Sequence, residues 1–502
     1  MMAAASIALN RNLKTLLDGI VENVPVESRE IISLTLDSRL VTPGALFFAS
    51  AGTRAHGRSF IDDAIARGAA AVVCDASAPG VEERHGVPVI SVRGLKSLIG
   101  PIAARFYGEP SRDQLVVGIT GTNGKTSTCQ FIAQALNQDG PCGVIGTLGN
   151  GLYGKLSEST HTTPDAITLH ALLAEFRDAG AKQVVMEVSS HGQQQGRTAG
   201  VAFDVAVFTN LTHEHLDYHG NMINYGRAKR ALFETPGLKY AVINVDDAFG
   251  RELLVSMPGA VGTVSYGIEG GNLLPSLLGK DLQLDHHGLR MTVESDWGRG
   301  ELHVPLLGRF NAANLLAALG ALLASGMGFD AALQRLSHVQ PVPGRMNGYG
   351  GKGGKPLVVV DYAHTPDALE QVLVALRAHT NGNLCCVFGC GGDRDRTKRP
   401  LMAKVAERLA DRVIITDDNP RSENPAVIIA DILAGLANVD AVTVIHNRAT
   451  AIREAIADAS PDDVVLVAGK GHEEYQLVGG QRLAFSDTEQ VKKAIKAWGG
   501  EG

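Results

Sequence analysis

The chain has 502 residues, too many for one ordinary hydrophobic core, so about two to four domains are expected. Its 45% hydrophobic and 20% charged residues are those of a soluble globular protein, and its 58 glycines suit the tight turns of layered α/β folds. Lys and Arg total 46 against 53 Asp and Glu, and a net charge of −7 argues against a nucleic-acid platform. Six cysteines, at 74, 129, 142, 385, 386 and 390, form no CxxC pair and no zinc spacing. Cys129 and Cys142 read as small core residues, and a reduced, cytoplasmic setting fits this usage. The apolar start Met1–Leu9 is short and lacks a charged lead, and no apolar run reaches about 18 residues. Neither a signal peptide nor a membrane span is expected.

In the first part, 1–112, Leu34–Arg39 reads as a strand running into a turn and Gly44–Ala49 as a second strand. Phe60–Arg67 has amphipathic helical spacing, and Ala69–Cys74 is a buried-type strand. Ser38, Arg39 and His56 are the polar candidates there and by themselves read as turn or surface residues.

A second part is expected over 113–338. The apolar run Leu115-Val-Val117 leads into GITGTNGKTS, residues 118–127, and Thr128–Leu136 continues with helical periodicity. A strand, a glycine-rich turn and a helix start make a phosphate cradle, with backbone N–H groups and the positive end of the helix dipole facing the anion. Gly121, Thr122, Asn123, Gly124, Lys125, Thr126 and Ser127 form it; Lys125 reaches the β/γ-phosphates, and the Thr126 hydroxyl sits on Mg²⁺. Ile119 stands where the standard P-loop has its first glycine, so this is a variant.

Lys182–Val188 reads as a parallel-type strand carrying an unexpected carboxylate, Glu187, which calls for a metal, a cation or a buried ion pair. Ser189, Gln195 and Arg197 follow it. The strand Phe203–Thr209 ends in the loop Asn210–Gly220, whose carboxylate and imidazoles suit Mg²⁺ or Mn²⁺ beside a nucleotide better than zinc. In the helical stretch Ile223–Phe233, Lys229 shares the inward face of Leu232 and Phe233, as a snorkelling lysine does. Residues 262–306 alternate as strands do, and Gly308–Ala318 opens a long helix with Asn311 placed to cap it.

The turn-rich 341–346 and the glycine run 348–354 mark a boundary, and a third part is expected over 339–502. Its strands Leu357–Tyr362, Asn383–Gly389, Arg412–Thr416 and Asp463–Ala468 each stop at a polar cluster. Open α/β sheets bind ligands at such carboxyl ends, which predicts a second site.

With these residues assembled, the chain closely resembles the Mur ligases over nearly its whole length. The shared features are GITGTNGKTS (118–127), MEVSSHG (186–192), TNL…HLDYHG (209–220), GRFNAANLLAA (308–318), PVPGRM (341–346), DYAHTPDAL (361–369), GCGGDRD (389–395) and GKGHEEYQ (469–476). Folylpolyglutamate synthetases share only the first part of this pattern. The resemblance implies an α/β, three-domain Mur ligase architecture with a central P-loop ATPase domain and a Rossmann-like C-terminal domain.

DSR at 37–39 and DNPR at 418–421 resemble the member that adds the third amino acid. The implied activity is ATP-dependent ligation of meso-2,6-diaminopimelate to the D-Glu γ-carboxylate of UDP-MurNAc-L-Ala-D-Glu through an acyl phosphate. That places the chain in cytoplasmic peptidoglycan precursor synthesis, with consequences for cell wall biogenesis, cell shape and division. The chemistry needs charge neutralisation and alignment more than a protein nucleophile.

The implied cofactors are ATP, Mg²⁺ and a CO₂-derived carbamate on Lys229, which reverses the snorkelling reading. Lys125, Glu187, His215 and Lys229 would be the catalytic residues, with Thr126, Glu187, His215 and Lys229 at metal. Glu214 stands where the family usually has Asp. Asn314, Arg345 and Asp361 would help hold ATP. Ser38 would touch the uridine end, and Thr162, Thr163, Ser189, Gln195 and Arg197 the muramoyl dipeptide. His161 replaces a usual Asn and receives no role. Arg394, Asp418, Asn419, Pro420, Arg421, Gly469 and Glu473 would form the diaminopimelate pocket. Arg421 suits a carboxylate, and Asn419 suits acceptance from an ammonium. DNPR by itself reads as a turn before a helix. A monomer is expected, with no nucleic-acid or membrane partner. The competing readings are a lysine-adding ligase of the same family and a catalytically silent nucleotide-binding regulator.

Overall fold

In a computed structural model of the chain, residues 12–20, 28–50, 57–268, 275–285 and 287–498 are described. His56 and the apolar start Met1–Leu9 lie outside them. The chain divides into two compact units, Met1–Ser276 with Ala317–Gly328, and Leu277–Leu316 with Phe329–Gly502.

The first unit contains two sheets. The N-terminal one runs Ser33–Thr35, Ala45–Ala49, Ala69–Asp75, Val87–Val92, Gly80–Arg84, parallel except for its last pair. Ala45–Ala49 is buried at every residue, as expected of an interior parallel strand covered on both faces. The expected strand at 34–39 is shorter, Ser33–Thr35, because Asp37 caps a 3₁₀ turn over Ser38–Leu40 by accepting from the Arg39 N–H. Ala166 and Ile167, at the start of the helix Ala166–Asp178, share a core with the helix Leu95–Phe106 and join this sheet to the next.

The larger sheet of this unit runs Gly262–Gly267, Tyr240–Asn244, Val205–Phe208, Leu115–Thr120, Gln183–Glu187, Cys142–Gly146, all parallel. Two antiparallel strands, Gly149–Leu152 and Lys155–Ser157, follow. Leu115–Thr120 is flanked by Gln183–Glu187 and Val205–Phe208, so the three segments leaving these strands emerge side by side at one edge. The helix after the glycine-rich turn begins at Lys125, three residues earlier than its periodicity predicts, because Gly124 takes up the left-handed turn at φ 86°. The stretch 210–220, expected as loop, contains a short helix, Leu216–His219. Cys129 and Cys142 are buried and unbridged, as are the other four cysteines.

In the second unit, Leu277–Asp285, Gly288–Ser295 and Gly298–Val304 form antiparallel pairs, matching the alternation of 262–306. A separate sheet runs Asn347–Gly350, Leu357–Asp361, Val464–Ala468, Leu384–Phe388, Arg412–Ile415, Val442–Val444, parallel after its first pair. The polar clusters expected at its strand ends therefore share one edge. Asn311 is not the cap its position suggested. The helix Arg309–Ala324 has already begun, and the Asn311 amide donates back to the Leu307 carbonyl at 2.8 Å. No helix among the described residues is long and apolar enough to cross a membrane.

One fully buried ion pair braces this unit: Arg448 Nε and Nη2 each donate to Asp487 at 2.7 Å, and Nη2 also reaches the Ala468 carbonyl. Asp487→Ala leaves the guanidinium buried and uncompensated, for an expected loss of about 3–5 kcal/mol. The pair replaced together by apolar residues of similar volume should lose far less. Hydrogen exchange of the sheet amides measures both, and equal losses would mean that the pair itself contributes the stability.

Candidate functional site

The turn between Leu115–Thr120 and Lys125–Leu136 is fixed by the neighbouring strand's exit. Asn123 N donates to Asn210 Oδ1 at 2.9 Å, and Thr209 Oγ1 donates to the Asn123 carbonyl at 2.6 Å. The Thr122 hydroxyl meets Tyr225 OH at 3.1 Å and accepts from the Thr212 N–H at 3.0 Å. A Cβ on Gly121 would collide with the Thr209 hydroxyl, so the close approach of these two segments requires glycine. Lys125 Nζ donates to the Gly121 and Thr122 carbonyls at 2.9 Å each, keeping the ammonium folded over the cradle.

Glu187 is buried at the end of its strand. Among the described residues it forms no ion pair, and its carboxylate accepts from hydroxyl and N–H donors. Oε2 accepts from the Thr126 hydroxyl at 2.9 Å and from Thr147 Oγ1 at 3.2 Å, and Oε1 from the Thr147 N–H at 2.8 Å. A Cβ on Gly146 would overlap Oε1. A hydroxyl and a carboxylate are thus gathered at the mouth of a phosphate cradle, the hard oxygen donors that Mg²⁺ takes. Among the described residues no three His, Cys, Asp or Glu side chains converge as a metal cage. A divalent ion here would rely on hydroxyl, water and substrate oxygens as well.

The remaining candidates of this unit lie in several settings. His215 adopts left-handed backbone, φ 57°, at the start of Leu216–His219, and its ring lies 4.9 Å from that of His191. Lys229 is buried with its Nζ 4.3 Å from the Tyr225 ring centroid. Burial pushes its ammonium well below the ordinary lysine range; the charge of Lys125 adds to this and that of Glu214 opposes it. Thr162 meets Thr147 hydroxyl to hydroxyl at 3.0 Å. Thr163 Oγ1 donates to the Glu187 carbonyl and contacts Ser189 Oγ at 3.1 Å. Arg197 donates to the Thr163 carbonyl at 2.6 Å and to Gln195 Oε1 at 2.9 Å, and Gln195 donates to Tyr218 OH at 3.2 Å. These residues form one hydrogen-bonded chain leading away from Glu187. Ser38 has no hydrogen bond to it among the described residues and sits in its own capped turn.

In the second unit, Asn314 donates to Asn311 Oδ1 at 3.0 Å. Asp361 accepts from the Met346 and Ala363 N–H groups at 2.8 and 2.7 Å, so it shapes the backbone around Arg345. Burial pushes the Asp361 carboxyl up, against the pull of Arg345 and the two N–H groups. The Arg345 guanidinium lies 5.3 Å from the Tyr362 ring, and its Nε is buried without a hydrogen-bond partner.

The edge that follows Leu384–Phe388, Arg412–Ile415 and Val464–Ala468 gathers the other candidates. Arg421, at φ 54°, donates Nη1 to the Gly392 carbonyl at 2.7 Å, and a Cβ on Gly391 would lie 2.8 Å from that nitrogen. Asp418 packs against Gly469, whose Cβ would lie 2.6 Å from Oδ2. Burial pushes the Asp418 carboxyl up, and Arg448 and Lys470 pull it back. Asn419 donates to Glu473 Oε2 at 2.8 Å, and Pro420 accepts from the Glu423 N–H. Among the described residues Arg394 donates a hydrogen bond to the Asp393 carbonyl alone, at 3.2 Å.

Several participants escaped the sequence reading. Thr147 and Tyr225 are two: Thr147 lies far from Glu187 along the chain, whereas the four-residue spacing of Tyr225 and Lys229 on one helix was visible. Lys470 and Arg399 are two more, both fully buried cations. Arg399 donates to Glu423, Asp431 and the Gly391 carbonyl, clamping together the loops that carry Arg394 and Arg421.

Known proteins resemble the chain along most of its length. Residues 30–107 match the Mur ligase family catalytic domain, 119–322 the Mur ligase middle domain, and 344–471 the Mur ligase glutamate ligase domain. A relative from Ectopseudomonas mendocina (strain ymp), named UDP-N-acetylmuramoyl-L-alanyl-D-glutamate--2,6-diaminopimelate ligase, is 53% identical across 93% of this chain and 96% of its own. The protein of the same name from Pseudomonas aeruginosa is 52% identical across 94% and 97%. A solved structure under that name superposes with a TM-score of 0.72 at 35% identity, covering 97% of this chain and 99% of the other. Mycobacterium tuberculosis folylpolyglutamate synthase, with a TM-score of 0.59 at 20% identity over 73% and 91%, shares the fold. The chain belongs to the Mur ligase family.

Proposed function

We propose that this chain joins meso-2,6-diaminopimelate to the D-Glu γ-carboxylate of UDP-MurNAc-L-Ala-D-Glu, with ATP hydrolysed to ADP and phosphate. The observation that carries this reading is identity of about half, along nearly the whole chain, with relatives named for that reaction. The expected parts are a UDP-substrate part at 1–112, an ATP part at 113–338 and an amino-acid part at 339–502. The setting is the cytoplasm, and the working form a monomer.

In this reading the cradle Gly121–Ser127 holds the triphosphate through backbone N–H groups, with Lys125 turning from the loop carbonyls to the β/γ-phosphates. Thr126, Glu187, His215 and a carbamate on Lys229 would hold Mg²⁺. The ion, when bound, neutralises phosphate charge as the γ-phosphoryl group moves to the carboxylate. Asn314, Arg345 and Asp361 serve ATP, and the open Arg345 Nε suits an oxyanion. Ser38 touches the uridine end. The chain Thr162, Thr163, Ser189, Gln195 and Arg197 aligns the muramoyl dipeptide, so that its carboxylate meets the phosphoryl group beside Glu187. Arg394, Asp418, Asn419, Pro420, Arg421, Gly469 and Glu473 receive diaminopimelate, whose amine attacks the acyl phosphate and expels phosphate.

Phosphate release with ATP, Mg²⁺ and the UDP-dipeptide, comparing diaminopimelate with L-lysine, tests the assignment. Turnover is expected only with diaminopimelate; turnover mainly with lysine identifies the lysine-adding ligase, and none, once an inactive preparation is excluded, brings the silent regulator to the front. Arg421→Ala should raise KM for diaminopimelate by about ten- to one-hundred-fold, the range for a hydrogen bond to a charged group, with little change for ATP. Equal rises for both substrates would sink the pocket assignment.

The lowered basicity of buried Lys229 favours the neutral amine, the form that attacks CO₂ with loss of a proton. Intact-protein mass spectrometry should show one added CO₂ on Lys229, lost on acidification. Lys229→Ala should cost roughly ten- to one-hundred-fold in activity, and full activity in bicarbonate-free buffer would remove the carbamate's role.

Gly146→Ala pushes a methyl group into the Glu187 carboxylate. Displacement on the order of 1 Å is expected to lower kcat by about one-hundred-fold and shift the Mg²⁺ titration to higher concentration. An unchanged kcat and titration would separate Glu187 from the reaction.

A further inference from the structure

The pocket residues assigned to the incoming amino acid contain a cation that this assignment omits. Lys470 is fully buried, and its Nζ donates to Asn419 Oδ1 at 3.1 Å and to Glu473 Oε2 at 2.9 Å. Asn419 Oδ1 also accepts from the Leu477 N–H at 2.9 Å, while Asn419 Nδ2 donates to Glu473 Oε2 at 2.8 Å. Every polar atom of the Asn419 side chain except one amide hydrogen is therefore engaged within the protein. Its oxygen, which the sequence offered to a substrate ammonium, already serves an ammonium of the chain itself. Glu473 is held through Oε2 by two donors, and no hydrogen bond to Oε1 is formed among the described residues. Oε1 is left as the acceptor for an incoming ammonium.

Resting on the diaminopimelate reading, we infer that Lys470 is a positioning residue that, with Asn419, aims Glu473 Oε1 at the second ammonium of the substrate. Full burial prevents the Lys470 stem from swinging into water, so the pair stays fixed when substrate arrives. The two carboxylates of the substrate are read elsewhere, by Arg421 among others. Lys470 thereby acts on one functional group of the substrate and leaves the rest of its recognition untouched.

The test compares diaminopimelate with 2-aminopimelate, which keeps the reacting amine and both carboxylates but lacks the second ammonium. Wild-type enzyme should favour diaminopimelate in kcat/KM. Lys470→Met should reduce that preference by about ten- to one-hundred-fold, chiefly through KM for diaminopimelate, with KM for ATP and 2-aminopimelate little changed. Glu473→Gln should do the same, and the double variant should fall below the worse single by no more than about twofold, because both act through one carboxylate. Lys470→Gln gives the same ratio if the methionine variant fails to fold, since the preference is internal to each preparation. An unchanged preference in the Lys470 variants, or losses that multiply in the double variant, overturns the inference. If wild-type enzyme uses lysine and not diaminopimelate, the underlying reading fails instead.

Discussion

A carboxylate buried at the end of a parallel strand is costly unless every lone pair has a purpose. Glu187 meets that constraint by drawing two segments onto its carboxylate, the cradle helix through Thr126 and the turn after Cys142–Gly146 through Thr147, while its backbone carbonyl accepts from Thr163 in a third. Each segment carries candidate residues, so satisfying one anion sets the positions of many groups. Gly146 belongs to the same solution, because only a residue without a Cβ leaves room for the carboxylate. The parallel order of the sheet makes this possible by releasing all three segments at one edge.

The loop after Val205–Phe208 adds a second layer. Thr209 and Asn210 hold the turn at Asn123, and Tyr225 faces both Thr122 and Lys229 Nζ. One aromatic side chain thus connects the phosphate cradle with the buried lysine. His191, His215, Tyr218, His219 and Tyr225 pack ring against ring around this point, and His215 keeps a left-handed backbone there. Non-glycine residues hold that conformation when their surroundings dictate it, commonly at functional sites.

The second unit solves a similar problem with cations. Arg448, Arg399 and Lys470 are all fully buried and paired with carboxylates, the two arginines with distant segments and Lys470 with Glu473 of its own loop. Arg448 fixes the terminal helix through Asp487, Arg399 fixes the loops bearing Arg394 and Arg421, and Lys470 fixes Asn419 and Glu473. Buried ion pairs add little net stability compared with apolar packing, but they tolerate few alternative arrangements.

The sequence alone determined the elements and most of the candidate residues. Apolar runs ending in glycine or polar clusters marked the strands, because a buried parallel strand must be continuously apolar and must stop where the chain meets water. The cradle was legible because phosphate binding fixes glycines, a lysine and a hydroxyl at short spacing. Partnerships were not legible. Glu187 with Thr147, Lys470 with Asn419, and Arg399 with Glu423 join residues brought together only by folding, and a hydrogen bond leaves no periodic trace in either segment. The capping role expected of Asn311 failed for the same reason, since its side chain answers a carbonyl whose position the helix start decides. Residue type and spacing announce which groups are available; tertiary structure decides which of them are already engaged with one another and which remain open to a ligand.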